Sequence, residues 1–195
     1  MKTQKLIVIV AIVCMLVGAS SAAMAVDCAG GVIQGTEQEP LEVDEIVIDG
    51  QSCFVNNVIV KGDVTVTDSE DFTMIDCNVH GNAKITQGRE VIIFGTTFGV
   101  VEGDLATNSN LLVRNNSRVY ALINIVTGSM FVNSNYKADV KKNAVVGNLL
   151  CRDNQRLDSF ENEVGGESQC RRSIDIFDGF DGFGGFGAVE GDRSN

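Results

Sequence analysis

Apolar residues in this chain come in short runs, with Asn, Gly, Asp and Ser placed between them. Ile46-Val47-Ile48, Val58-Ile59-Val60, Val64-Thr65-Val66-Thr67, Val91-Ile92-Ile93-Phe94 and Leu111-Leu112-Val113 are the clearest. Leu122 to Val126 and Val145-Val146 continue the series. Runs this short, rich in β-branched residues and bounded by turn formers, predict strands. No long window carries the stripe of an amphipathic helix. Between the runs a Gly-Asp/Asn step returns about every twenty residues. It stands at Gly62-Asp63, Gly81-Asn82, Gly103-Asp104 and Gly147-Asn148, with Ile123-Asn124 in the remaining slot.

Short strands at that period are too closely spaced for a propeller blade or a helical repeat. They fit a β-helix, in which two or three strands and their turns make one coil. One coil cannot bury its apolar face alone, whereas stacked coils share a core. The expected fold is therefore all-β: a single-stranded, right-handed parallel β-helix (β-solenoid) of about six coils. At about 4.8 Å per coil it would stand roughly 25–30 Å tall. The right hand follows from the handedness of parallel crossovers. The residues Asp63, Asn82, Asp104, Asn124 and Asn148 are expected to form one structural corner ladder. Glycine, and after it Asn or Asp, would supply a left-handed turn there.

Three segments follow. Residues 1–25 read as a signal peptide: Lys2 and Lys5, an apolar run from Leu6 to Val17, then Ala23-Met24-Ala25 as a cleavage site. The apolar run is well short of the ~20 residues a membrane span needs. Residues 26–172 form the β-helix with its end caps, and Arg152 to Arg172, charged and without β runs, is expected to be a cap. Residues 173–195 form a Gly/Phe/Asp-rich low-complexity tail. Cleavage after Ala25 leaves 13 basic and 26 acidic side chains, a net charge of −13. That charge argues against a basic patch for nucleic acid. Export permits disulfides, and the spacing suggests Cys28 with Cys53 and Cys151 with Cys170, leaving Cys77 as a buried thiol.

The segments Gly147-Asn148-Leu149-Leu150-Cys151 and Asn162-Glu163-Val164-Gly165-Gly166, closed by Cys170, resemble the C-terminal signature of a family of small exported proteins. That family pairs G-N-L-x-C with a later N-x-V-G-G and a last cysteine. Cys28 and Cys53 fall where the family places an N-terminal pair. The resemblance spans roughly residues 28–170 and implies a right-handed parallel β-helix. The family is uncharacterised, so it brings no activity.

Catalysis is weighed against this background. Parallel β-helices include polysaccharide lyases and hydrolases, which need converging carboxylates or an acid-bound calcium beside a base. Asp63, Asp68, Glu70, Asp71, Asp76 and Asp104 are the candidate acids, with Lys61, Lys84, Arg89 and Arg114 as bases. They lie scattered at turns without a recurring pairing, so no catalytic residue is assigned. The single histidine, His80, does not make a zinc site. Asp175, Asp178 and Asp181 lack the register of a calcium repeat, and no cofactor is expected. Thr67, Thr86, Thr107 and Thr127 could stack as an ice-binding column. Asn115-Asn116-Ser117 is a glycosylation sequon.

The expected role is that of an exported, non-catalytic structural or interaction protein of an envelope, matrix or secretion. The partner is unknown. Self-association or contact with another surface component through Phe177, Phe180, Phe183 and Phe186 is the first expectation. The alternative is an extracellular polysaccharide-binding or polysaccharide-cleaving β-helix. It is to be recognised by a face that gathers acids with an Arg or Lys.

Overall fold

The computed structural model describes residues 25–28, 31–99, 101–102 and 105–170. The expected signal peptide as far as Met24, Asp104, Arg171, Arg172 and the expected tail 173–195 lie outside the described residues. The rest winds into a parallel β-helix with three strands per coil. Face 1 stacks β1 (Ala25–Asp27), β4 (Glu45–Asp49), β7 (Val64–Thr67), β10 (Ala83–Thr86), β15 (Leu111–Arg114), β18 (Met130–Asn133), β21 (Leu149–Arg152) and β24 (Ser168–Cys170). Face 2 stacks β2 (Val32–Gln34), β5 (Cys53–Asn56), β8 (Asp71–Ile75), β11 (Glu90–Phe94), β16 (Arg118–Leu122), β19 (Lys137–Lys141) and β22 (Arg156–Phe160). Face 3 stacks β3 (Leu41–Val43), β6 (Val58–Val60), β9 (Asn78–Val79), β12 (Thr97–Phe98), β17 (Ile125–Val126), β20 (Ala144–Val145) and β23 (Glu163–Val164).

Alternation along each strand decides what faces the core. Within face 1 the column Ile46–Val64–Ala83–Leu111–Met130–Leu149 points inward, as does Phe72–Val91–Val119–Ala138–Leu157 on face 2. Face 3 contributes Val43–Val60–Val79–Phe98–Val126–Val145. Like side chains stack on like, so each coil completes the apolar surface of the next.

The helix has about seven turns rather than six. The extra turn is the first, β1 to β3, and Arg152 to Cys170 is not an irregular cap. Its strands β22, β23 and β24 repeat the coil, and Leu157 is buried while the charged neighbours point out. One interruption divides the column. From β5 onward successive coils repeat at 19 residues, but the step from Ala83 to its partner Leu111 spans 28. The excess loops out after β12 and carries a short antiparallel pair, β13 (Val101–Glu102) and β14 (Leu105–Ala106). Thr127 seats this loop: its Oγ1 lies 3.1 Å from the Phe98 carbonyl and within hydrogen-bonding reach of that of Thr107.

Disulfides link Cys28 to Cys53 and Cys151 to Cys170, one at each end. Cys151 and Cys170 are register partners on adjacent strands. Cys77 is free and buried.

Candidate functional site: three corner ladders and an outward face

Each corner is held by its own stack of polar side chains. Between faces 3 and 1, Asp63 Oδ1 accepts from the N–H of Asn82 (2.7 Å), and Asn82 Oδ1 accepts from that of Asn110 (3.0 Å). Asn110 Oδ1 then accepts from Ser129 N–H (2.8 Å), Ser129 Oγ from Asn148 N–H (3.1 Å) and Asn148 Oδ1 from Glu167 N–H (2.8 Å). The expected single ladder is thus corrected. Asp63, Asn82 and Asn148 belong to this corner, but its other members are Asn110 and Ser129. Asn124 stands at a different corner. The inserted loop shifts the register, so even spacing in sequence misassigned Asn124 while still reaching Asn148.

The reason for glycine here also differs from expectation. No left-handed φ occurs at Gly62, Gly81, Gly128, Gly147 or Gly166. Instead, a Cβ on Gly128 would lie 2.6 Å from the Ser109 carbonyl oxygen, and one on Gly147 would lie 2.7 Å from that of Gly128. Glycine is needed for close stacking. Left-handed residues occupy the other two corners, with φ of 50° to 64° at Asn57, Asp68, Asp76, Gln87, Asn115, Ile123, Ser134, Lys142, Asp153 and Glu161. Ile123 stands out, because a β-branched residue is strained in that region.

Behind those left-handed residues run two buried amide ladders. Asn116, Asn135 and Asn154 line the corner between faces 1 and 2; Asn124, Asn143 and Asn162 line that between faces 2 and 3. Each Oδ1 of the next coil accepts both the backbone N–H and the Nδ2 of the previous one, at 2.9–3.0 Å. The Nδ2 also donates back to a strand carbonyl, as Asn143 does to Ala121 (2.9 Å). The 19-residue recurrence of Asn at both corners was readable in the sequence, and the Gly-Asp/Asn step obscured it. Cys77 and Thr96 continue the second column toward the N-terminus. Burial pushes the Cys77 thiol up to about 11, and Thr96 N–H donates to Asn124 Oδ1 (3.0 Å).

The candidate acids and bases are spread around the helix. Asp63 is in its ladder, while Asp68 and Asp76 are exposed corner residues. Glu70 is an exposed turn residue. Lys84 and Arg114 point out from face 1. Lys61 pairs with Glu42 (2.8 Å) and Arg89 with Asp71 (2.8 Å), each cation held above its usual pKa by that hydrogen-bonded carboxylate. His80 is half-buried, and its carbonyl accepts from Ser109 Oγ (2.8 Å). The sequon residue Asn115 is an exposed left-handed corner. Thr67 and Thr86 are register partners, but Arg114 follows them; Thr107 is in the inserted loop and Thr127 is buried. The threonine column does not form. Among the described residues no cluster of three His, Cys, Asp or Glu could hold a metal. A shallow groove of about 340 Å³ at the second corner is lined by Asp76, Cys77, Asn78 and Thr97, where the buried Asn78 Oδ1 has no hydrogen-bond partner.

The richest surface is the outside of face 2, which sequence reading did not single out. Its first outward column runs Asp71, Glu90, Arg118, Lys137, Arg156. The second runs Phe54, Thr73, Ile92, Tyr120, Asp139, Asp158, and the third Ile75, Phe94, Leu122, Lys141, Phe160. Lys141 binds Asp158 (2.7 Å), and this hydrogen bond raises its pKa. Lys137 stands over the Tyr120 ring and Lys141 over that of Phe160, at 5.5 and 4.8 Å. Only alternation across neighbouring coils assembles this array.

These features define a class: a disulfide-closed parallel β-helix with ladder-lined corners and one chemically patterned flat face. No family model, curated protein or solved structure matches the chain.

Proposed function

We propose that the protein is an exported, non-catalytic structural or interaction protein whose rigid column presents face 2 as its contact surface. The supporting observation is the outer array of face 2, where aliphatic, aromatic and charged side chains are arranged in three registered columns. The core and corners beneath hold them rigidly, which lowers the ordering cost of binding. The two disulfides fit an oxidising compartment, and no helix among the described residues is long and apolar enough to cross a membrane. The signal peptide, secretion or display at a cell surface, and the family resemblance belong to this same reading.

Polysaccharide binding is the second reading. It is favoured by Tyr120 beside Asp139 and Asp158 with Lys141 between the two carboxylates (3.9 and 2.7 Å). Affinity electrophoresis in neutral and acidic polysaccharide gels separates the two. Retardation lost in Tyr120→Ala supports the carbohydrate reading; unretarded migration in every gel supports a protein contact.

A further inference from the structure

The first column of face 2 changes sign along the rod. Acidic Asp71 and Glu90 lie on the N-terminal side of the first column, and basic Arg118, Lys137 and Arg156 lie on the C-terminal side. The change falls between β11 and β16. At that level the other two columns are most apolar: Ile92 beside Tyr120, and Phe94 beside Leu122. Glu90 and Arg118 are register neighbours but form no ion pair among the described residues. A surface with opposite charges reflected about an apolar centre is complementary to itself.

We infer that face 2 binds a second copy of the chain, face to face and antiparallel, about a two-fold axis lying along the strands between β11 and β16. Such an interface is isologous, so every contact occurs twice. The operation keeps each column against itself and exchanges rows. Glu90 meets the second copy's Arg118, and Asp71, which Arg89 of its own chain already holds, lies opposite that copy's Lys137. Ile92 meets Tyr120, and Phe94 meets Leu122. Beyond these rows, Gly95 at the corner lies level with the strained, half-exposed Ile123, which gives that side chain a place to go. A parallel arrangement fails, because it reverses the columns, sets Lys137 against Lys141 and places Glu90 against Phe94.

All three columns match on the two central coils; one coil further out Thr73 meets Asp139 and Ile75 meets Lys141, and beyond that Phe54 would meet Asp158. Five strands of five residues and one of four (β5) give roughly 450 Å² of flat face per copy, small against about 800 Å² per partner in a standard interface. The dimer is therefore weak, concentration-dependent and weakened by salt.

This inference rests on face 2 being the contact surface, and its test separates the two. Sedimentation equilibrium is run on the chain from Val26 onward, up to about 1 mM, for the parent, Glu90→Arg and Arg118→Glu. Each reversal alone sets like charges together twice and should weaken association by about tenfold or more. Mixing the two variants restores opposite charges at both contacts, so the mixture should dimerise where neither does alone. Circular dichroism checks that both remain folded. Phe131→Ser, on the outer surface of face 1, should associate like the parent, as should a chain with Ser at Phe177, Phe180, Phe183 and Phe186. A monomeric parent, unaffected reversals, or a mixture no better than its components overturns the second-copy inference. If face-2 variants then still abolish binding to a polysaccharide or surface extract, face 2 keeps its role with another partner.

Discussion

The inserted loop divides the β-helix into two halves with one backbone geometry and different chemistry. Before it, the inner corner positions are Ser69 and Gly88 on one column, and Cys77 and Thr96 on the other. After it they are Asn116, Asn135, Asn154 and Asn124, Asn143, Asn162. Ser69 Oγ makes a single hydrogen bond to Gln51 (2.7 Å). Each central asparagine of the second half connects three coils instead. Charge changes as well: residues 27–104 carry fifteen acidic and three basic side chains, against six and seven in residues 105–170. The same coil can therefore be closed by a thiol, a hydroxyl, a glycine or an amide. The amide half depends more heavily on its corners.

The largest expected effect sharpens that contrast. Asn135→Ala leaves the buried N–H and Nδ2 of Asn116 without their acceptor, and should cost about 3 kcal/mol or more. The matched change Ser69→Ala should cost about 1 kcal/mol. Equal losses in urea unfolding would erase the distinction between halves. Opening Cys151–Cys170 comes next, since closing a loop of that length is worth about 3 kcal/mol in the chain-entropy model. The Cys151→Ser, Cys170→Ser double variant should lose hydrogen-exchange protection in β22 to β24 while β7 to β11 stay protected. Uniform protection would show that the disulfide does not close the end.

Smaller effects carry the opposite sign. Ile123→Asn should relieve the left-handed strain and stabilise by about 1 kcal/mol, while weakening self-association through face 2. A stabilised variant that still dimerises would remove Ile123 from the interface. Finally, Cys77 gives the N-terminal half a pH dependence. Its thiol is held neutral by burial, so its contribution is intact below pH 9 and is lost as pH climbs toward about 11. Cys77→Val should flatten stability over that interval. Native Cys77 should resist thiol reagents at neutral pH, and rapid labelling of folded protein would contradict its burial.

Much of the architecture was readable because a β-helix writes its period directly into the chain. Val64-Thr65-Val66-Thr67 alternates, and its inward valines are buried as alternation requires. The Gly-Asp/Asn step located one true corner at Asp63, Asn82 and Asn148. It failed at Asn124, because nine extra residues preserved an apparent rhythm while moving the register. Arg152 to Cys170 was misread as a cap because charge on the outside of a coil resembles the charge of a loop.

Sequence alone determined that strands are short, that coils stack and that cysteines stand near both ends, since these depend on local alternation and period. Only the tertiary structure decided which asparagines share a column, why Gly128 and Gly147 must lack a Cβ, and which side chains make the outer face. Those properties arise between residues 19 or 28 apart. One inserted loop changes every such pairing across it without disturbing the alternation on either side.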